Sequence, residues 1–234
     1  MGKGWKVLLD MTKNFIIGTT TALILTGTAS AEFIGFDGTL TVNGDGNNVV
    51  QMFAVFDGAD AVGLNVFNGE ITANGAFLHS DVQVAAGGTW NPTASIDIPG
   101  FADSSKDSYV TMGYGVGANA ATNGTALDPG FGAGLGGSIP AGAGWYNGNP
   151  NNLQTASAFA GGRDGISGYA VMIGQFVWNG DTNVDGAFVF SAEMGSNTGA
   201  GTEVDFGADT FTIPAPGALA LLGLGGLATR RRRG

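Results

Sequence analysis

Asp181-x-Asn183-x-Asp185-Gly186 is the spacing in this chain that most resembles an ion-binding loop. Oxygens at the first, third and fifth positions of such a loop converge on calcium, and the glycine permits a sharp turn. The second half of the pattern fails, because the twelfth position is Ala192 and a carboxylate arrives one residue late, at Glu193. Asp and Asn also close turns by accepting backbone N–H groups, and that is the preferred role for Asp181, Asn183 and Asp185. Asn43-Gly44-Asp45-Gly46-Asn47-Asn48 is a second oxygen-rich turn with the same two roles open to it. Calcium is the one cofactor left open; otherwise none is expected.

His79 is the only histidine, in Phe77-Leu78-His79-Ser80-Asp81, so a Ser/His/Asp hydrolase would have to be built around it. On an extended segment Ser80 faces away from its neighbours, which rules out a compact local triad. A hydrogen-bonded or solvent-facing strand histidine is the expectation. One histidine and no cysteine argue against a zinc site. Trp90, Trp145 and Trp178 could stack on sugar rings if they shared an exposed face, although core or loop anchoring explains them better. Gly132-x-Gly134-x-x-Gly137 has the letters of a dinucleotide loop without the strand-turn-helix frame that gives those letters meaning.

These residues sit in a chain that reads as all-β. Gly, Asn, Ala, Thr and Ser dominate residues 32–213, and no long stretch there shows a 3.6-residue apolar stripe. Extended segments are expected at 38–42, 49–56, 61–67, 77–84, 108–114, 169–178, 187–194, 202–206 and 210–213. Val171 to Phe176 is expected to turn through residues 179–186 into Ala187 to Phe190 as a hairpin. Residues 115–152, rich in Gly and Pro, should form a long surface loop pinned by Phe131, Trp145 and Tyr146. The expected fold is an antiparallel β-sandwich or jelly roll with that Gly-rich loop, an N-terminal signal peptide and a C-terminal hydrophobic helix.

The ends carry addressing signals. Lys3, Lys6 and Lys13 precede the apolar stretch Phe15 to Leu25, and Ala29-Ser30-Ala31 supplies the small-x-small site of a signal peptidase. Residues 1–31 therefore read as a signal peptide, with translation starting at Met1 or at Met11 and the mature chain at Glu32. Residues 32–213 form the secreted domain, and 214–234 form a short apolar tail ended by Arg230, Arg231, Arg232 and Arg233, in keeping with the positive-inside rule. Of 19 acidic residues 18 lie in 32–213, against 2 of the 9 Lys and Arg, a balance of −16. Such a surface repels nucleic acid. The absence of cysteine excludes disulfides and thiol chemistry.

Ile213-Pro214-Ala215-Pro216-Gly217-Ala218-Leu219-Ala220-Leu221-Leu222-Gly223-Leu224 followed by the arginine run resembles the PEP-CTERM sorting tail of Gram-negative bacteria, in its Pro-Ala-Pro variant. The resemblance implies passage through the export translocase, removal of the leader by signal peptidase, and transient inner-membrane attachment. It also implies recognition near Pro214, Ala215, Pro216 and Gly217 by an exosortase-like enzyme, and release to the envelope, the surface or an extracellular matrix. Ala215 stands where the name-giving motif has Glu. Leu64 to Phe67, Gly87 to Pro92, Ile139 to Trp145 and Gly174 to Phe176 are similar to a secreted domain found beside such tails in planctomycete-type bacteria, which implies location and architecture but no chemistry. The expectation is an exported, non-enzymatic surface or matrix protein. A carbohydrate-binding or calcium-dependent adhesion module with an extracellular polysaccharide partner is second, and a secreted glycoside hydrolase third.

Overall fold

The computed structural model describes residues 31–81, 88–92, 97–113, 124–148, 154–198 and 204–213. The expected leader up to residue 30, the tail from Pro214 and the apolar helix expected there lie outside these residues. Among the described residues no helix is long and apolar enough to cross a membrane.

The strands are β1 Phe33–Val42, β2 Asn48–Phe56, β3 Ala61–Ala73, β4 Tyr109–Val110, β5 Thr125–Leu127, β6 Ala143–Asn147, β7 Ser157–Phe159, β8 Gly168–Trp178, β9 Phe188–Thr198 and β10 Val204–Ile213. They build two antiparallel sheets. One has the order β1-β2-β8-β4, with β7 also paired to β8; the other has the order β10-β9-β3-β6-β5. The arrangement is all-β and consistent with the antiparallel sandwich expected from the composition.

Period-two alternation creates the inner faces. In β9, Phe188, Phe190, Ala192 and Met194 are buried, while Val189, Ser191 and Glu193 between them are not fully covered. Phe36 from the first sheet meets Phe190 from the second edge to face at 5.0 Å, and Phe176 of β8 packs on both Phe188 and Phe190. Each phenylalanine buried this way contributes about 1.5–3 kcal/mol over an exposed one. At one side of the sandwich β1 and β10 are joined by Asp209, whose Oδ2 accepts the Phe36 N–H at 2.7 Å. A Cβ at Gly35 would approach that same oxygen to 2.7 Å, so a larger residue there would displace the Asp209 carboxylate.

A wholly buried carboxylate holds the loop before β8. Asp37 accepts N–H groups from Gly38 (2.7 Å), Gly162 (2.7 Å), Asp164 (3.0 Å) and Ile166 (2.9 Å), so its charge is satisfied entirely by backbone donors.

Three expectations are corrected. Residues 171–190 are not a hairpin: β8 and β9 belong to different sheets, and 179–187 crosses between them. The Gly/Asn sequence suits a crossing as well as a turn, because Asn48 Nδ2 and Asn74 Nδ2 grip the carbonyls of Gly180 and Asp181 at 2.7 Å each. No strand forms over Phe77 to Asp81 beyond a single bridge from Phe77 to Trp178; the segment is held by Leu78 N–H to Val177 and Phe77 N–H to Gly137 carbonyls instead. The Gly-rich region is more than a loop, since β5 and β6 pair with each other and extend the second sheet. Phe131 and Trp145 do anchor it, whereas Tyr146 is 45% exposed.

Candidate functional site

Trp90, Trp145 and Trp178 are each 0% exposed, which overturns their assignment as a stacking platform. Trp145 donates Nε1–H to Thr111 O and Trp178 to Asn74 Oδ1, both at 3.0 Å; Trp178 stacks on Phe188 and Trp145 meets Phe190 in a T-shaped contact. A ring with no exposed surface has no face left for a sugar.

The calcium-like turn closes on itself. Asp181 Oδ1 accepts the Asn183 backbone N–H at 2.8 Å and its side-chain amide at 2.6 Å. These two donors, the backbone N–H first, hold the Asp181 carboxyl below its ordinary value. Asn183 thus presents N–H groups to Asp181 rather than an oxygen to a shared ion. At the 43–48 turn, Asn43 Oδ1 likewise accepts the N–H groups of Asp45 and Asn47, and Asp45 pairs with Lys106 at 2.8 Å. Of the expected processing residues, Ala29, Pro214 to Gly217 and Arg230 to Arg233 lie outside the described residues. Ala31 is buried against the sandwich, and the Glu32 N–H donates to Asp57 Oδ1 at 2.7 Å.

His79 proves to be the centre of a polar cluster that the sequence did not assemble. Its side chain is 5% exposed, and one ligand atom from each of His79, Asp81 and Asp107 falls within 4.8 Å of the others. Three segments bring them together. Ser108 N–H bonds to Leu78 O at 2.9 Å, and Ser108 Oγ bridges to both the N–H and the carbonyl of Val177 on β8. Gln175, also on β8, reaches the carbonyls of Ser104 and Asp107 with its amide at 2.7 and 2.9 Å. The third segment, Gly88 to Trp90, lies against the imidazole: the Trp90 indole meets it edge-on at 4.7 Å, and Thr89 N–H donates to Asp81 Oδ2 at 2.6 Å. Gly88, at φ +74°, passes so close that an added Cβ would collide with the Cβ of His79.

His79 Nε2 lies 3.0 Å from the carbonyl oxygen of Gly136, which also accepts the Trp90 indole N–H. A carbonyl only accepts, so Nε2 carries the proton and Nδ1 of the neutral ring carries a lone pair. Nδ1 is buried, makes no hydrogen bond, and stands 3.4 Å from Asp107 Oδ1. Asp107 is 0% exposed and accepts the Ser80 N–H at 2.9 Å. Burial pushes its carboxyl above the ordinary value and the nearby charge of Asp81 adds to this, while a proton on His79 Nδ1, when present, and the Ser80 N–H pull the other way. Nε2 faces Gly136 O and Nδ1 makes no hydrogen bond, so a Ser80–His79 nucleophile pair is not formed; Ser80 Oγ instead accepts the Asp103 N–H at 3.1 Å. With no exposed surface on Asp107, the two carboxylates do not face a substrate as a glycosidase pair does.

The missed signal was the His79-x-Asp81 spacing, which places two donors on one side of an extended segment; nothing local pointed to Asp107. No protein-family model, curated protein or solved structure matches the chain.

Proposed function

We propose that the chain is an exported, non-enzymatic β-sandwich protein that is sorted through its C-terminal tail and ends as a component of the cell surface or an extracellular matrix. The observation that carries this is the order of elements at the tail, Pro214-Ala215-Pro216, a small-residue apolar run and then Arg230 to Arg233. The fold supports it from within. β10 continues to Ile213, so the strand runs up to the residue before the proposed motif. At the other end, cleavage after Ala31 would convert the Glu32 amide into an ammonium group beside Asp57 Oδ1, a stronger charge-assisted partner. The interior is filled by Phe and Trp side chains, as suits a structural module.

The test is fractionation of host cells expressing the native chain and a variant with Pro214→Ala and Pro216→Ala. The native chain is expected at the surface or in the medium and the variant in the inner membrane. Native chain recovered from the cytoplasm, or an identical distribution of the two, would overturn the proposal.

A further inference from the structure

We propose that His79, Asp81 and Asp107 bind one divalent first-row transition cation of the zinc type, with the imidazole coordinating through Nδ1 and one oxygen coming from each carboxylate. The site is independent of the sorting proposal and lies among loops outside the two β-sheets.

The imidazole carries the argument. A buried nitrogen lone pair aimed at a carboxylate is repulsive, and leaving it without a partner costs free energy unless a cation lies between. A proton on Nδ1 is the alternative, but charge-assisted N–H···O contacts close to about 2.7–2.9 Å, well short of the 3.4 Å observed. Two ligands about 2.1 Å from a tetrahedral zinc ion stand about 3.4 Å apart, which matches the separation of Nδ1 and Asp107 Oδ1. The opposite ring nitrogen is already fixed by a backbone carbonyl, as in metal-bound histidines, where such a bond sets the tautomer and aims the ligand.

The donor set selects the ion. Calcium and magnesium take oxygen shells, whereas imidazole with carboxylates suits zinc and its neighbours. Two carboxylates also neutralise a divalent charge, which matters where one of them has no contact with solvent. Three protein donors leave a coordination position for water. Bound there, the ion would tie the 77–81 segment to the 104–107 turn at a point where the sheets give no ladder hydrogen bonds.

The full chain, in mild detergent and stripped with a chelator, would be titrated with Zn2+ by calorimetry and with Co2+ by visible absorption. One equivalent of zinc should bind, and cobalt should give the absorption of a four-coordinate site with a nitrogen ligand. His79→Gln should weaken zinc binding at least 100-fold. Asp81→Asn keeps the oxygen that accepts from Thr89 and so separates ligand loss from misfolding; it should weaken binding about tenfold or more, with an unchanged circular dichroism spectrum. An equal excess of calcium should not compete. Absence of a stoichiometric zinc site in the stripped chain would overturn the proposal. So would equal zinc affinity in His79→Gln, which would assign binding to the acidic surface.

Discussion

Asp37 and Asp107 are both carboxylates with 0% exposure, and the fold treats them in opposite ways. Around Asp37 the chain has wrapped four backbone N–H groups, three of them from the 162–166 loop, so the charge is answered by dipoles that the polypeptide supplies itself. Around Asp107, besides the Ser80 N–H, it has set a second carboxylate and an imidazole nitrogen that makes no hydrogen bond. The first arrangement fastens a loop. The second concentrates donors that attract a cation, and the contrast separates a structural carboxylate from a binding one without appeal to sequence motifs.

The largest effect should come from breaking the self-sufficient carboxylate. Asp37→Ala leaves the N–H groups of Gly38, Gly162, Asp164 and Ile166 without their acceptor, and should cost about 4 kcal/mol in urea unfolding. That loss should be the same with and without zinc. A smaller effect is expected from Gly88→Ala, where a residue at φ +74° gains a Cβ that pushes into His79. Its conformational penalty alone is about 1–2 kcal/mol, and displacement of the imidazole should lower zinc affinity at least tenfold. Unaltered zinc binding in this variant would mean that the imidazole position is not what the metal requires.

The smallest effect sharpens the Asp37 side. Asp164 donates its N–H to Asp37, yet its own carboxyl is held above the ordinary 3.8, chiefly by partial desolvation and then by the negative charge of Asp37. The folded state therefore binds that proton more tightly than the unfolded chain does. Its contribution to stability falls as pH rises from about 4 through the raised folded value. Asp164→Asn should flatten the curve of unfolding free energy against pH in that window and leave stability at lower pH unchanged, as read by denaturant titrations at successive pH values.

The parts of the fold that obey local rules could be read from the chain. β2 and β9 are alternating or near-continuous apolar segments, and their expected and observed positions differ by a few residues at most at either end. The 179–187 connection could not be read, because Asn and Gly accept the backbone of a tight turn and of a crossing between sheets equally well. What decides between them is pairing of β9 with β3 and β10, a long-range property. The same holds for the site. His79 and Asp81 share a short stretch of sequence, but Asp107 joins them only because Gln175 and Ser108 dock its loop on β8. The tryptophans illustrate the converse: a binding role and a core role use the same residue, and burial alone chose the core.

The central claim is that this sandwich is exported and released from its tail, and intact mass of the protein recovered from its host tests it most directly. The mass predicted is that of a surface or medium form lacking residues 1–31 and those after about Pro216. A membrane form that retains Arg230 to Arg233 would contradict release and make the tail a permanent anchor.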